Sequence, residues 1–292
     1  MWALFELYRW TIFCGALIGG TLALLGTHLA ARDKAMQTVC VGQGATVGVL
    51  IGLGILQTAE ISSPWFNAFG PFVTAFIFSL STFYVSDLLV ASRVASRNTF
   101  FAFLFSFLVA LGYLISSLFP ALESHMAQIY FGDLSTLTTF DAILTSILAF
   151  PGLLILLLRW KSISNYSFES AIFGETSMLP AQADSAALFR VVSLVLICFS
   201  VQFVGFLFTI TSLFLPTALL SYSPNKGLKR HFASCFLLAS VSTVFGFLLS
   251  LWVTRLPTVP AIVVVMFFNA LLMLAIERMV SGSAATKATA KP

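Results

Sequence analysis

Charge is what this sequence has least of: Asp, Glu, Lys and Arg make up 9% of its 292 residues, while 59% are hydrophobic. So few charges cannot cover a water-facing surface, which excludes an ordinary soluble domain. The net charge of +4 is not a nucleic-acid signal. Its basic residues fall singly or in pairs in short loops, where they set topology. Paired cysteines are missing too. Cys14, Cys40, Cys198 and Cys235 stand alone in apolar segments, which excludes a zinc ribbon or a secreted disulfide framework and leaves them as small core residues. The nearest approach to a phosphate-binding GxxxxGK[ST] loop, Ser223-Pro-Asn-Lys-Gly-Leu-Lys-Arg230, lacks the first glycine and the final hydroxyl. HExxH and GxSxG are absent, so no enzyme chemistry is expected and ATP has no such site in this chain. Ionisable groups are scarce inside the apolar segments, where Asp87 and His28 lie near segment ends. Carriers driven by protons or sodium usually need buried carboxylates.

What is present is a series of apolar windows about 20 residues long, the length of a helical membrane crossing. They fall at Trp10–Leu29, Val39–Leu56, Phe66–Leu89, Thr99–Leu118, Ala142–Leu158, Val191–Leu220 as two short crossings, Cys235–Trp252 and Val259–Ile276. The expected fold is an all-α polytopic membrane bundle with about nine (eight to ten) transmembrane helices. The first window is long enough to be a retained helix rather than a cleaved signal. Residues 1–280 are expected to form one transmembrane domain, and 281–292, small and polar, a disordered cytoplasmic tail. Basic loops (Arg32 and Lys34; Arg93 and Arg97; Arg159, Lys161 and Arg190; Lys226, Lys229 and Arg230) alternate with loops carrying Glu60 or Glu123, Asp133 and Asp141. The positive-inside bias puts the N-terminus outside and the C-terminus in the cytoplasm, with Arg255 the one misfit. Trp2, Trp10, Trp65, Trp160 and Trp252 all sit at segment ends, as interfacial indoles do.

The stretch Val39–Leu56 is the most unusual. Gly44, Gly48 and Gly52, spaced by four, strip one helix face so that another backbone or a ligand can approach. Gln43 lies in that track, with Thr46 one turn on. A buried amide in hydrocarbon needs a partner. Helix packing and a substrate pathway both fit. Glu123, His125, Asp133 and Asp141 form an outward acidic loop that suits a cation, a binding protein or plain solvation. The cytoplasmic segment from Arg159 to Arg190 contains Asn165-Tyr-Ser-Phe-Glu-Ser-Ala-Ile-Phe-Gly174. Ser167 can cap a short helix with Glu169 in its first turn, placing Phe168, Ile172 and Phe173 near one face. Such a helix lies on lipid or in a groove on a partner. His28 and His231 read as interfacial or loop residues, and Met36, Met126 and Met178 fall outside the crossings.

Four blocks then resemble one family in order. Ile129-Tyr-Phe-Gly-Asp-Leu134 with Thr138-Thr-Phe-Asp141 resembles the YLFGDLL…DL signature of the integral permeases of ATP-binding-cassette importers for zinc, manganese and iron, the ZnuB-like class. Ser167-Phe-Glu-Ser-Ala-Ile-Phe-Gly174 is similar to that family's S-F-D-x-x-x-A-x-x-x-G segment, shortened or shifted. Gln202-Phe-Val-Gly205 through Pro216-Thr-Ala218 is similar to its K-x-V-G-x-L-L…P-A-A block. Leu256-Pro-Thr-Val-Pro-Ala-Ile-Val263 resembles L-P-T-G-P-A-I-V, with Val259 replacing a glycine. The resemblance runs from about Leu24 to Arg278.

It implies a permease subunit with the translocation path at Val39, Gln43, Gly44, Thr46 and Gly48, and ATPase docking through Ser167, Phe168, Glu169, Ala171, Phe173 and Gly174. The loop of Glu123, His125, Asp133 and Asp141 would receive cargo from an extracytoplasmic solute-binding protein. ATP would be bound by the partner subunit, with no cofactor in this chain. The permease would pair as a homodimer, or with a similar second subunit, in a bacterial inner membrane. One departure stands out. Aligning on Gly48-Val49 puts Val39 and Gln43 where the family has its metal-binding Asp and His. Valine offers no donor atom, and an amide oxygen suits a borderline cation poorly. The metal ligands therefore do not carry over. The rival readings are the same machine with a non-metal or chelated cargo, an ATP-independent carrier or channel, and a non-transporting scaffold.

Overall fold

In the computed structural model, the described residues are 2–58, 63–91, 96–119, 122–173, 183–223, 227–253 and 256–289. They form eleven helices and no strand: α1 (Trp2–Ala31), α2 (Ala35–Thr58), α3 (Pro64–Ala91), α4 (Arg97–Leu118), α5 (Glu123–Phe131), α6 (Thr139–Leu158), α7 (Trp160–Phe173), α8 (Ala183–Phe203), α9 (Phe206–Leu220), α10 (Leu228–Trp252) and α11 (Thr258–Thr289). Eight of them contain stretches long and apolar enough to cross a membrane: α1, α2, α3, α4, α6, α8, α10 and α11. The chain is a multi-pass membrane protein.

The Val191–Leu220 window resolves differently from two equal short crossings. Its first part belongs to the full-length span Asp184–Phe203, and its second is α9, 15 residues long. At 1.5 Å per residue α9 reaches about 22 Å, short of a hydrocarbon core of about 30 Å. The reversal falls at Val204–Gly205, where Gly205 adopts φ 107, open to glycine at little cost. A Cβ on Gly205 would stand 2.4 Å from the Cα of Gly132, the left-handed C-cap of α5. Backbone thus meets backbone between α5 and the α8–α9 corner. The corner satisfies itself locally: the Val204 and Gly205 amides both donate to Ser200 O, and the Ser200 and Thr209 hydroxyls pair at 2.7 Å.

Caps elsewhere follow the sequence. Thr138 accepts from the Asp141 amide and donates to its carboxylate at 2.6 Å, starting α6. Ser96 caps α4 by accepting from Thr99 N. At that same end the α1–α2 turn puts Asp33 at φ 54, which short polar residues tolerate, and Arg97 donates to its carbonyl at 2.7 Å. Arg32, Lys34, Arg97 and Trp160 all lie at this end, hereafter the basic end. Gly132, α5 and Thr258 mark the other. Asp87, the acid of α3, is not isolated: Gln37 donates to it at 2.7 Å and Lys34 stands 3.8 Å away. Arg93, Glu60, Lys226 and Arg255 lie outside the described residues. Trp65 and Trp252 are exposed at helix ends. The last helix is continuous to Thr289, into the 281–292 segment expected to be disordered; its alanines favour helix locally.

The most extensive helix contact joins α2 to α3, and it follows the glycine track. A Cβ on Gly48 would come 2.5 Å from Ala75 Cα, one on Gly52 2.6 Å from Pro71 Cα, and one on Gly44 2.4 Å from Thr82 Oγ1. Replacing Gly48 by Ala should cost roughly 1–3 kcal/mol, because backbone on α3 must move. Thermal unfolding of the purified protein checks this. Gly70→Ala inside α3, whose Cβ would meet only Leu56 side-chain atoms at 3.5 Å or beyond, is the matched control and should change little.

Candidate functional site: a vestibule and a buried amide on α2

The glycine face of α2 is not open to a ligand, because α3 fills it. Gly44 and Gly48, expected on the path, are packing residues in this conformation. Thr46 is buried and donates to Gly42 O at 3.1 Å within its own helix, and Val39 is half-buried. Gln43 is different. Fully buried, it points away from α3 and donates from Nε2 to the Tyr130 hydroxyl of α5 at 3.0 Å, while Oε1 has no hydrogen-bond partner. Turning the amide over does not help: a phenol can donate or accept, so one amide atom is left unpaired in either orientation. Such an atom costs about 1–3 kcal/mol. Gly112 of α4 makes room for the phenol, since a Cβ there would stand 2.5 Å from Tyr130 Oη. Burial raises the pKa of Tyr130 above its ordinary value despite the Gln43 contact, so the phenol stays protonated.

Outward from this pair, α2, α3, α5, α6 and α8 enclose a cavity of about 650 Å³. His125, Gln128, Thr138, Asp141 and Gln202 supply its polar lining, with Val49, Leu53 and Phe203 among the apolar walls. Two of the four residues expected to receive cargo, His125 and Asp141, therefore share one vestibule. The other two do not line it. Glu123 is exposed on the first turn of α5. Asp133 is engaged elsewhere: it accepts from Ser135 N at 2.9 Å, Ser135 Oγ at 2.7 Å and Thr258 Oγ1 at 2.8 Å, pinning the α5–α6 link to the start of α11. Among the described residues no three His, Cys, Asp or Glu side chains group as a metal cage. Histidine, carboxylate and amides thus line the vestibule without gathering into a tight site.

At the basic end, α7 begins at Trp160, seven residues before the start expected at Ser167. Ser167 is thus not an N-cap. Because the helix had already begun, its hydroxyl donates back to Ile163 O at 2.9 Å and meets His28 Nδ1 at 3.2 Å. His28 in turn is no loop residue: it is buried on α1 among the rings of Trp160, Phe189 and Phe232. Arg32 stacks over Tyr166 and Phe189 at 4.8 and 4.1 Å. One side of α7 is therefore locked to α1 and α8, while Phe168, Ala171 and Ile172 are exposed on the other and Glu169 is half-buried. The Phe173 side chain and Gly174 lie outside the described residues. Tyr130, Gln128 and the buried His28 were not foreseen as site residues. Each matters through contacts distant in sequence, which local pattern does not reveal.

A multi-pass helical bundle with a vestibule at one end and an exposed apolar helix face at the other has the layout of a membrane transport protein. The chain belongs to the ABC 3 transport family, which it matches over residues 4–277. Membership sets aside the ATP-independent carrier and the scaffold. The fold is similar to that of a chain in the solved structure of PsaBC from Streptococcus pneumoniae in complex with Fab: TM-score 0.73 at 16% identity, covering 93% of this chain and 95% of that one. No curated protein shows significant sequence similarity to the chain.

Gln43→Leu tests the buried amide, since it keeps the volume and removes the unpaired group. Thermal stability should hold or rise while transport falls about tenfold, the weight of one such group. A structural amide would give the opposite pattern, lost stability with transport intact per folded molecule.

Proposed function

We propose that this chain is the permease subunit of an ATP-binding-cassette importer whose cargo is a divalent transition metal, zinc, manganese or iron, or its complex. The observation that carries the reading is the family match over nearly the whole chain. The chain itself performs no enzymatic step. ATP is bound by a separate subunit docked at α7, where Phe168, Ala171 and Ile172 form a ready apolar face and Glu169 flanks it. A solute-binding protein delivers cargo at the opposite end, to the vestibule of His125 and Asp141, with exposed Glu123 beside it. The permease works as a homodimer in a bacterial inner membrane. Its basic end, and with it the C-terminus, is cytoplasmic, and its N-terminus is outside.

Coupling is by alternating access: partner binding and hydrolysis bias inward- and outward-open states. His28 and Ser167 bridge α7 to α1, so displacement of the docking helix reaches the bundle through a buried contact. A path must release what it holds, and a neutral amide behind a mouth with one carboxylate and one imidazole binds a cation weakly enough to let it pass. The replaced Asp and His positions, Val39 and Gln43, suit a cargo that arrives still partly hydrated or chelated.

The test is uptake of labelled zinc, manganese and iron in cells lacking the protein, complemented with wild type, Gln43→Ala or Gln43→His. Restoration of one metal by wild type and its reduction by Gln43→Ala is the expected result. If no metal responds while the ATPase still co-purifies, the cargo assignment fails and the family assignment stands. A companion variant, Ile172→Glu, should lose the co-purifying ATPase while the permease still folds, because a carboxylate then sits in the docking face.

A further inference from the structure

On the flank of the bundle, away from the vestibule and from Gln43, α1, α6, α7 and α10 border a groove of about 480 Å³. Leu24, Leu153, Trp160, Phe236 and Leu237 contribute apolar walls, and Lys229 is the one charged side chain in its lining. The indole of Trp160 is held edge-on to Phe232, with ring centroids 4.2 Å apart. Leu157 and Leu237 are more than half exposed beside it, so the groove opens sideways to the surroundings of the helices. Its size lies in the range of small-molecule sites.

The charge at its basic end is unusual. α10 starts at Leu228 behind Gly227, which supplies no side-chain cap, and has no acid in its first turn. Lys229 and Arg230 occupy that turn instead, both exposed. Cations at a helix N-terminus oppose the dipole, which favours anions there. Arg159 and Lys161, also exposed, flank Trp160 on the other side. None of these four cations has an ion-pair partner among the described residues. A first helical turn with two cations and no acid, four cations without an ion-pair partner among the described residues, and an apolar channel leading from them call for one kind of occupant: an anion with a hydrocarbon tail.

We propose that this groove binds an acidic phospholipid, its phosphate at the N-terminus of α10 beside Lys229 and Arg230 and an acyl chain along the groove past Trp160. The headgroup supplies the negative charge that the first turn lacks. A neutral phospholipid could fill the groove, but would leave Lys229 and Arg230 unneutralised. This does not depend on the identity of the cargo.

The experiment is native mass spectrometry of the full chain purified in mild detergent and titrated with phosphatidylglycerol or phosphatidylcholine. Wild type should retain one phosphatidylglycerol per chain and prefer it about fivefold for each cation engaged. The surface variant Lys229→Gln should lose that factor without loss of stability. Ala233→Trp, which fills the groove, should abolish retention of both lipids. Equal retention of the two lipids by wild type, or unchanged binding to Ala233→Trp, overturns the proposal. If Ala233→Trp instead converts a dimer to a monomer without altering lipid retention, the groove belongs to a second copy of this chain.

Discussion

The bundle depends on close backbone contact at glycine. In hydrocarbon a backbone polar group has no water to turn to, so irregular backbone survives only where protein covers it. The corner at Val204–Gly205 is such a place. Its amides fold back onto Ser200, and the exposed strip of backbone lies on Gly132 at the end of α5. From this contact follows the shortened α9, the position of α5 at the end opposite the basic one, and hence the placing of Tyr130 over Gln43. The α2–α3 seam applies the same physics along a straight pair, with Gly44, Gly48 and Gly52 bringing the two helices together.

Between these glycine contacts lies what the bundle leaves unsatisfied. Most buried hydroxyls on the spans donate to the carbonyl one turn back, as Thr21, Thr46 and Ser193 do. Gln43 cannot, because an amide has more polar atoms than the neighbouring phenol can pair. The vestibule at one end and the α7 face at the other are thus joined through helices α1 and α2. His28 and Ser167 bind α7 to the first of these, and α2 carries the amide.

The fold was largely legible in the sequence. Hydrophobic run length set the spans, and the tryptophans and loop charges bounded them. The site was legible only in part. Gln43 stood out as an amide among glycines, and His125 and Asp141 as outward polar groups. Asp133 looked equivalent to Asp141 and is not: one caps a turn held by Thr258, the other lines the cavity. Ser167 looked like a helix start, since its side chain is suited to one, yet α7 was already nearly two turns old.

Composition by itself determined that this chain lives in a membrane as an α-helical bundle, because apolar segments of this length leave no other way to satisfy their backbone. Local sequence determined where helices stop and which glycines could allow close approach. Only the tertiary structure decided which partner each glycine received. It turned the face of α2 that looked open into a seam with α3, and left Gln43 one hydrogen bond short. Helical spacing fixes which residues share a face, but what covers that face is set by helices distant in sequence.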